Sequence, residues 1–411
     1  MSAAQEKSLW WCVQAGHRER YAVPRALALA GILDRLATDL WVPPSVAWLL
    51  RGAAGRRLRD RYHPDLSRRN VTAVPFRWAA FELMASLKGE HGALRVLHRN
   101  QRWSALAART MVRKAAPTTS HVFSYCYDAR EVFRAARRRG LHPVLGQIDP
   151  GPLEDKKTEL IVQRWRDFQT TFKRGSVAYY DAWRDECDLA QRIVVNSDWS
   201  REALEKEGVD ASKLVVWPLV YSPPAEAANW RREFPGAFTM QRPLRLLFLG
   251  QCILRKGIAE TIEAARRLID RPVEFTFVGN TDIAAFESHF GGARIVYHPR
   301  VSREECHRFY READIFIFPT HSDGFGLTQL EAQAWRLPIL ASRFCAQVVV
   351  PGKTGWIMPE VSGETMAAII EQVLAAPATP RHFSEAIEPW PFSLGDLGAR
   401  LAAISEEGHS R

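Results

Sequence analysis

Short apolar runs alternate with amphipathic segments along most of this sequence. Such alternation is typical of strand–helix–strand units, which build a parallel sheet. The pattern predicts an α/β chain with two Rossmann-like, doubly wound parallel-sheet domains that face each other across a cleft, with a ligand at the carboxyl ends of the strands. The predicted strands are residues 10–14, 121–126, 142–148, 192–197, 214–218, 244–250, 274–279, 294–298, 314–320 and 337–342.

The length of 411 residues also favours two domains. Residues 221–238 carry three prolines and no clean periodicity, so the domain boundary is predicted there. The expected units are residues 1–222, residues 223–380 and a C-terminal helix within residues 381–411. Six cysteines without a CxxC pair predict reduced, mostly buried thiols and not a zinc site.

Residues 319–342, PTHSDGFGLTQLEAQAWRLPILAS, carry the most informative motif. Gly324 and Gly326 flank Phe325, and glycine allows the backbone to approach a ligand closely. The following helix is predicted to begin near Leu327.

The amides of Leu327 and Thr328 are therefore expected to be free to bind a phosphate or diphosphate at the positive end of the helix dipole. Glu331 lies one turn further, where its carboxylate could accept hydrogen bonds from a ribose diol. Asp323 precedes the glycines and is placed to bind hydroxyls beyond the phosphates. The alternative is an ordinary glycine turn with a solvated aspartate.

A second motif is FLGQCILRKGI, residues 248–258. Its predicted strand ends at Gly250, and Arg255 and Lys256 stand at the start of the next helix. Cations at a helix N-terminus are unfavourable unless an anion is present. The pair could neutralise a departing diphosphate, and a solvated basic turn is the alternative.

Together the two motifs resemble the retaining glycosyltransferases of family 4, which have the GT-B fold. Asp323 and Glu331 match the spacing of the family's two acids, Glu–seven residues–Glu, although aspartate is shorter by about 1.5 Å. Lys256 matches the lysine of the family's Gly-Arg-(four)-Lys-Gly segment. Gln251 stands where arginine is usual, and Arg255 could substitute. Weaker matches cover residues 186–218 and 300–320 and a loop at 348–359.

The first half departs more from the family. GHRERY, residues 16–21, stands where the family has a glycine-rich loop, and Asp149 stands near the place of its histidine. The resemblance implies an acceptor side formed by Gly16, His17 and Asp149. Arg18 and Tyr21 are interpreted as surface or packing residues. The final helix is expected to cross back to the first domain.

The resemblance implies transfer of a sugar from a nucleotide-diphosphate sugar to an acceptor hydroxyl with retention of configuration and with no obligatory metal or other cofactor. The acceptor would be a glycan, a polysaccharide precursor or a lipid-linked sugar. The implied catalytic residues are Arg255, Lys256 and Asp323. The implied donor-binding residues are Gly250, Gln251, Gly324, Phe325, Gly326, Leu327, Thr328 and Glu331.

The net charge of +10 favours acidic partners. A nucleotide sugar, with its two phosphates, is a partner of this kind. The basic helical segment 45–115 is interpreted as a solvated face, with contact to an anionic bilayer as the alternative. No nucleic-acid recognition motif is present. Since no run of 18 apolar residues occurs, we expect a cytoplasmic protein, with peripheral binding at the inner membrane face left open.

Other functions remain open at this point. A catalytically silent sugar-nucleotide-binding protein is suggested by Gln251 and Asp323, which depart from the family pattern. A sugar-nucleotide epimerase of the same architecture would share the phosphate cleft. A dehydrogenase is disfavoured because no GxGxxG follows a strand with an acid about 20 residues later.

Overall fold

The computed structural model describes residues 8–47, 58–66, 70–75, 84 and 92–407. They form two α/β domains, each built on an entirely parallel sheet, with a cleft between them. This confirms the predicted fold class. Much of the basic segment 45–115 lies outside the described residues.

The first domain contains a seven-stranded sheet in the order β3-β2-β1-β4-β5-β6-β7. Side chains alternate between its two faces, so Trp10 and Cys12 enter one hydrophobic core while Trp11 and Val13 enter the other. Burial on both faces explains why such strands are apolar almost throughout. The strands are β1 Leu9–Gln14, β2 Leu33–Thr38, β3 Val71–Ala73, β4 Thr119–Tyr125, β5 His142–Gly146, β6 Arg192–Val195 and β7 Leu214–Val216.

The helices described in this domain cover both faces of the sheet. The helix after β6 begins with Ser197 as its N-cap, whose hydroxyl accepts a hydrogen bond from the Ser200 amide. The helices are α1 Ala22–Leu29, α2 Pro44–Ala47, α3 Gly92–Lys114, α4 Arg130–Arg138, α5 Pro152–Arg164, α6 Val177–Leu189 and α7 Asp198–Lys206.

The second domain contains a six-stranded sheet in the order β10-β9-β8-β11-β12-β13. Its strands are β8 Leu244–Leu249, β9 Val273–Val278, β10 Ile295–His298, β11 Ile315–Phe318, β12 Ile339–Ser342 and β13 Gly355–Met358. The helices that follow are α8 Ile258–Arg267, α9 Arg303–Glu312, α10 Leu327–Ala334, α11 Gly363–Ala375, α12 Thr379–Ala386 and α13 Leu394–Glu407.

Three strands were not predicted from the sequence. β2 contains Asp34, a residue that disfavours strands, but its carboxylate accepts hydrogen bonds from the Trp11 indole, the Ala116 amide and the Thr119 hydroxyl. β3 has only three residues. Residues 348–359 were interpreted as a loop, and that interpretation was wrong for its second half, because β13 pairs with β12 at the edge of the sheet.

The last helix of the chain lies on the first domain. Leu397 and Leu401 of α13 are buried in the same core as residues of α1, and the Trp10 indole donates to the Ser405 hydroxyl over 2.8 Å. The second domain is thus held to the first at two places in the sequence, the linker and this helix. None of the helices in the described ranges is long and apolar enough to span a membrane.

A further interdomain contact comes from the end of α5 and the residues that follow it. Phe168 and Ile161 belong to the first half of the chain but are buried in the core of the second domain. The Trp165 indole donates to Glu260 over 2.7 Å, and the Thr170 hydroxyl donates to Asp282 over 2.5 Å. These contacts fix one side of the cleft.

The crossing helix should contribute measurably to stability. Leu401→Ala removes a fully buried side chain and leaves a cavity, so the free energy of unfolding should fall by about 3 kcal/mol. Chemical denaturation followed by tryptophan fluorescence measures the change. Glu406→Ala, on the exposed face of the same helix, is the control and should unfold as the wild type does. Equal midpoints for Leu401→Ala and the wild type would contradict the packing of α13.

Candidate active site between the two domains

A cleft of about 630 Å³ lies where the carboxyl ends of the two sheets face each other. Its first-domain wall includes the loop after β1 and the ends of β5 and β6. Its second-domain wall includes the ends of β8 and β11 and the start of α10. The first-domain lining is Ala15, Gly16, His17, Arg18, Glu19, Arg61, Ile148, Asn196 and Leu219. The second-domain lining includes Gly250, Gln251, Lys256, Asp323, Phe325, Gly326, Leu327 and Thr328.

The loop between β11 and α10 is held directly against the first domain. The Ser197 hydroxyl donates to the Gly324 carbonyl over 2.7 Å, and the Trp199 indole donates to the Ser322 hydroxyl over 3.1 Å. A side chain at Gly324 would overlap the Ile148 carbonyl oxygen. Only glycine therefore permits this approach.

Lys256 and Asp323 form an ion pair within the cleft. Both side chains are 17% exposed, so water screens their attraction only partly. Burial by itself would raise the pKa of the Asp323 carboxyl, but Lys256 and then Arg255 outweigh it and hold that pKa below its ordinary value. Asp323 is therefore ionised at neutral pH.

The position of Lys256 depends on the residue that follows it. Gly257 has φ +77°, and a side chain there would overlap the Pro319 carbonyl oxygen. The backbone of this turn consequently lies directly on the chain after β11. The lysine is thereby brought beside the loop that carries Asp323.

Arg255 is directed away from the cleft. Its Nη1 donates to the Ser322 carbonyl over 2.5 Å and lies 3.3 Å from Glu154 of the first domain. Burial raises the pKa of Glu154 to about 8, against the opposing effect of Arg255. Of the two cations predicted to meet a diphosphate, Lys256 lines the cleft and Arg255 bridges the domains.

Helix α10 begins at the cleft as the sequence predicts. Gly326 precedes it with φ +87°, and no side chain caps its first turn. The amides of Leu327 and Thr328 have no partner within the helix, as in the first turn of any α-helix. Glu331 lies one turn further, where its carboxylate accepts a 2.8 Å hydrogen bond from Tyr310 and is 3.5 Å from Arg303.

On the first-domain side, the loop after β1 is anchored by a carboxylate. Gly16 has φ +81°, and its amide donates to Asp39 over 2.9 Å; Asp39 also pairs with Arg61 at 2.8 Å. Burial, followed by the charge of Arg61, lowers the pKa of His17, so its imidazole is neutral at pH 7. Tyr21 is fully buried and packs in the core.

Asp149 is placed differently from the other predicted acceptor residues. Its Oδ1 accepts hydrogen bonds from the Tyr127 hydroxyl over 2.7 Å, the Gly151 amide over 2.9 Å and the Gln147 amide group over 3.1 Å. It lines a smaller neighbouring cavity and not the cleft itself, which Ile148 lines. Burial raises the pKa of its carboxyl.

The sequence interpretation missed several residues of the site. Arg61 lies in the basic stretch that was interpreted as a solvated face. Asn196 follows β6, and a polar residue at the carboxyl end of a strand was a usable signal. Glu19 is the first of three consecutive non-glycine residues with positive φ, and such strain clusters at functional sites. Burial raises the pKa of Glu19 to about 7, although Arg18 opposes it.

Within the described part of the chain, no group of three or more histidine, cysteine, aspartate or glutamate side chains is arranged to hold a metal ion. The six cysteines all lie in that part. They are unpaired, and five of them are buried.

The Gly324 contact can be tested by adding one methyl group. Gly324→Ala should separate the loop from Ile148 and lower the melting temperature, because neither backbone segment can yield as a flexible side chain would. Differential scanning fluorimetry measures the shift, and Gly236→Ala, where a side chain would meet nothing within 4 Å, is the control. An unchanged melting temperature for Gly324→Ala would contradict the close approach.

The protonation of Glu154 should appear in the pH dependence of stability. A glutamate in an unfolded chain titrates near pH ~4.3, so from about pH 5 to 8 the folded protein holds a proton that the unfolded chain has lost. The contribution of Glu154 to the free energy of unfolding is therefore greatest below the pKa that a glutamate has in the unfolded chain. It is lost as the pH rises through about 8.

Between about pH 6 and 8.5 the free energy of unfolding of the wild type should fall by roughly 2 kcal/mol more than that of Glu154→Gln. Urea unfolding at each pH gives the difference. Glu159→Gln, on an exposed position of the same helix, should follow the wild type. Parallel curves for the wild type and Glu154→Gln would exclude a buried, protonated Glu154.

The second domain is similar to known glycosyltransferases. Residues 233–390 match the model of the family described as glycosyl transferases group 1. A D-inositol 3-phosphate glycosyltransferase of Arthrobacter sp. is 29% identical over 176 residues, which cover 40% of this chain and 38% of that protein. The capsular polysaccharide biosynthesis glycosyltransferase CapM of Staphylococcus aureus is 28% identical over 137 residues, which cover 31% and 36%. The chain thus spans less than two fifths of the length of these curated relatives.

Solved structures match the chain over nearly its whole length. The catalytic domain of starch synthase IV from Arabidopsis thaliana, bound to ADP and acarbose, aligns with a TM-score of 0.67 over 98% of this chain and 100% of its own, at 12% identity. HepE of Anabaena in complex with UDP aligns with a TM-score of 0.59 over 97% and 100%, at 12% identity. The chain therefore has the two-domain GT-B fold, and its second domain is similar to the glycosyl transferases group 1.

Proposed function

We propose that this protein transfers a sugar from a nucleotide-diphosphate sugar to an acceptor hydroxyl. The observation that carries the proposal is the convergence of Lys256, Asp323 and the first turn of α10 on one interdomain cleft. A cation and free helix amides suit a diphosphate. An ionised carboxylate beside them suits sugar hydroxyls, since charge-assisted hydrogen bonds are strong.

The donor would lie with its diphosphate between Lys256 and the amides of Leu327 and Thr328. As the bond from the sugar to the diphosphate breaks, negative charge grows on the leaving oxygen, and these groups are already in place to stabilise it. Glu331, held by Tyr310, would bind the ribose hydroxyls. In this proposal Lys256 and the helix amides offset part of the diphosphate charge, and no metal or other cofactor takes part.

We further propose that the anomeric configuration is retained, as the family 4 resemblance implies. The acceptor hydroxyl would attack from the face that the diphosphate leaves, and a phosphate oxygen would take its proton. A protein side chain then needs to contribute little as a general base. This agrees with Asp149, whose Oδ1 already accepts three hydrogen bonds and which lines a separate cavity.

Two predicted roles change in this proposal. Arg255 becomes a residue that positions the loop of Ser322 and Asp323, since it binds the Ser322 carbonyl and pairs with Glu154. Gln251 is exposed and lines the cleft where the family has arginine. Its amide can donate hydrogen bonds to a phosphate but supplies no charge.

The name of one relative, a capsular polysaccharide biosynthesis glycosyltransferase, supports a glycan or polysaccharide precursor as the acceptor. UDP in the HepE complex supports a nucleotide donor. A lipid-linked acceptor would bring the protein to the inner face of a membrane. The basic helix α3 is the described element that would approach an anionic surface.

The proposal predicts a release of nucleoside diphosphate that depends on the cleft. The enzyme is incubated with UDP-, GDP- or ADP-glucose and a panel of sugar acceptors, and the free nucleoside diphosphate is measured. Lys256→Ala and Glu331→Ala should each lower the rate at least about 100-fold, because each removes a group that binds the donor or its leaving charge.

Lys353→Ala is the matched control. This exposed lysine of the second domain pairs with Glu388 and is not part of the cleft lining, so its loss should leave the rate unchanged. Near-normal turnover in Lys256→Ala would contradict the proposed site. Tight nucleotide binding without release of nucleoside diphosphate would instead favour a silent binding protein or an epimerase.

A further inference from the structure

One fully buried carboxyl group of the second domain has no role in the transfer site described above. It belongs to Glu260, which lies in the first turn of α8 and is 0% exposed. A glutamate is almost never fully buried unless its carboxyl group is paired. The partners of Glu260 therefore indicate what this carboxyl group does.

A single oxygen atom of Glu260 has partners in two parts of the molecule. Its Oε1 accepts a hydrogen bond from the Trp165 indole over 2.7 Å and lies 2.9 Å from Nε2 of His321. A carboxylate oxygen accepts, so Nε2 of His321 carries the proton and donates it. Trp165 follows the last turn of α5 in the first half of the chain, whereas His321 belongs to the loop after β11. Oε1 thus joins the first domain to the loop that carries Asp323.

The other carboxyl oxygen of Glu260 gains nothing from its burial. Oε2 is buried and has no hydrogen-bond partner among the described residues. A buried polar atom without a partner costs free energy, and an apolar side chain of similar size would avoid that cost. Stability alone therefore does not explain a carboxyl group at this place. Costs of this kind are characteristic of functional sites.

His321 lies two residues before Asp323, so its position bears directly on the transfer site. The His321 amide donates to the Arg255 carbonyl over 2.9 Å, and the Asp323 amide donates to the Phe344 carbonyl over 2.9 Å. These bonds hold the backbone at the two ends of a three-residue segment, and Glu260 holds the imidazole. Without Glu260 the imidazole would be released, and the segment could then shift together with Asp323.

The first domain reaches Glu260 through a segment that is embedded in the second domain. Trp165 packs against the core of the second domain and meets Phe168 edge-on, with the ring centroids 5.6 Å apart. Phe168 in turn stacks on His289, with the ring centroids 4.2 Å apart. These contacts fix the Trp165 indole, so its hydrogen bond to Glu260 depends on how the two domains are placed.

We propose that Glu260 is a positioning residue of the transfer reaction. Through His321 it sets the position of Asp323, and through Trp165 it makes that position depend on the contact between the domains. The inference rests on the proposed function, in which Asp323 binds hydroxyl groups of the donor sugar. Glu260 does not line the cleft, so it acts on transfer through these neighbours.

Two substitutions of Glu260 separate positioning from stability. Glu260→Leu has a similar volume but accepts no hydrogen bond, so kcat should fall about tenfold, because a small misplacement of a group that contacts the substrate slows the reaction. Glu260→Gln keeps an oxygen that accepts both bonds and should retain at least about half of kcat. The rate is the release of nucleoside diphosphate per folded enzyme. The affinity for nucleoside diphosphate alone should be equal in all three proteins, since it depends on Lys256 and α10.

A double-mutant cycle tests whether Glu260 acts through His321. His321→Leu removes the imidazole that Glu260 holds and should also lower kcat about tenfold. The variant with both changes to leucine should lose no more than either single variant, because both changes remove the same hydrogen bond. If Glu260→Leu does not fold, His321→Leu and the comparison with Glu260→Gln decide, since His321 is partly exposed.

Trp165→Phe tests the link to the first domain. It removes the indole donor but keeps an aromatic ring, and kcat should fall about threefold through the loss of one of the two hydrogen bonds to Glu260. Glu263→Leu is the matched control for the whole series. Glu263 lies one turn further along α8, pairs with Arg267 at 2.8 Å and is not part of the cleft lining, so transfer should be as in the wild type.

A wild-type kcat in Glu260→Leu or His321→Leu would overturn the inference, as would additive losses in the double variant. Failure of Glu260→Gln to restore kcat would also overturn it, and so would an equal loss of kcat and of nucleotide affinity. An unchanged kcat in Trp165→Phe would overturn the dependence on the domain contact. Any of these results together with transfer that depends on Lys256 would refute this inference alone. Transfer that is independent of Lys256, or no transfer by the wild type, would refute the proposed function and this inference with it.

Discussion

The close backbone contact between Gly324 and Ile148 is the constraint on which the rest of the site depends. It joins the loop after β11 to the loop after β5, so the carboxyl ends of both sheets meet at one place. The Ser197 hydroxyl, which caps α7, reinforces the contact by donating to the Gly324 carbonyl. Asp323, Phe325, Gly326 and Leu327, which line the cleft, lie within three residues of Gly324 in the sequence. The two domains thus share a single site although each has its own core.

Two contacts between a basic side chain and a carboxyl group lie side by side at this junction and have different tasks. Lys256 with Asp323 faces the cleft, whereas Arg255 with Glu154 crosses between the domains. Partly buried pairs gain little net stability, because desolvation offsets much of their attraction. The value of the Lys256–Asp323 pair lies in fixed charge at a defined position. An arriving diphosphate would share Lys256 with Asp323, and a sugar hydroxyl would then satisfy the carboxylate.

The sequence predicts most reliably the strands and helix ends that depend on residues adjacent in the chain. Buried parallel strands such as β1 and β8 are apolar on both faces, and α10 begins at Leu327 because Gly326 supplies the left-handed turn before it. Strand β2 could not be predicted from the sequence, because it contains Asp34. The three hydrogen-bond donors that stabilise the Asp34 carboxylate come from other parts of the chain. Motif spacing matched Asp323 and Lys256 separately to positions of the family pattern, but it did not predict their ion pair, which the fold brings about. It could not give the direction of Arg255, which is set by a carboxylate about 100 residues away, Glu154.

The most direct measurement is a crystal structure with a bound nucleoside diphosphate, using whichever of UDP, GDP and ADP binds most tightly. The account predicts diphosphate oxygens within hydrogen-bonding distance of the Lys256 amine and of the Leu327 and Thr328 amides. A diphosphate bound instead in the depression lined by Trp356 and Arg267 would contradict it.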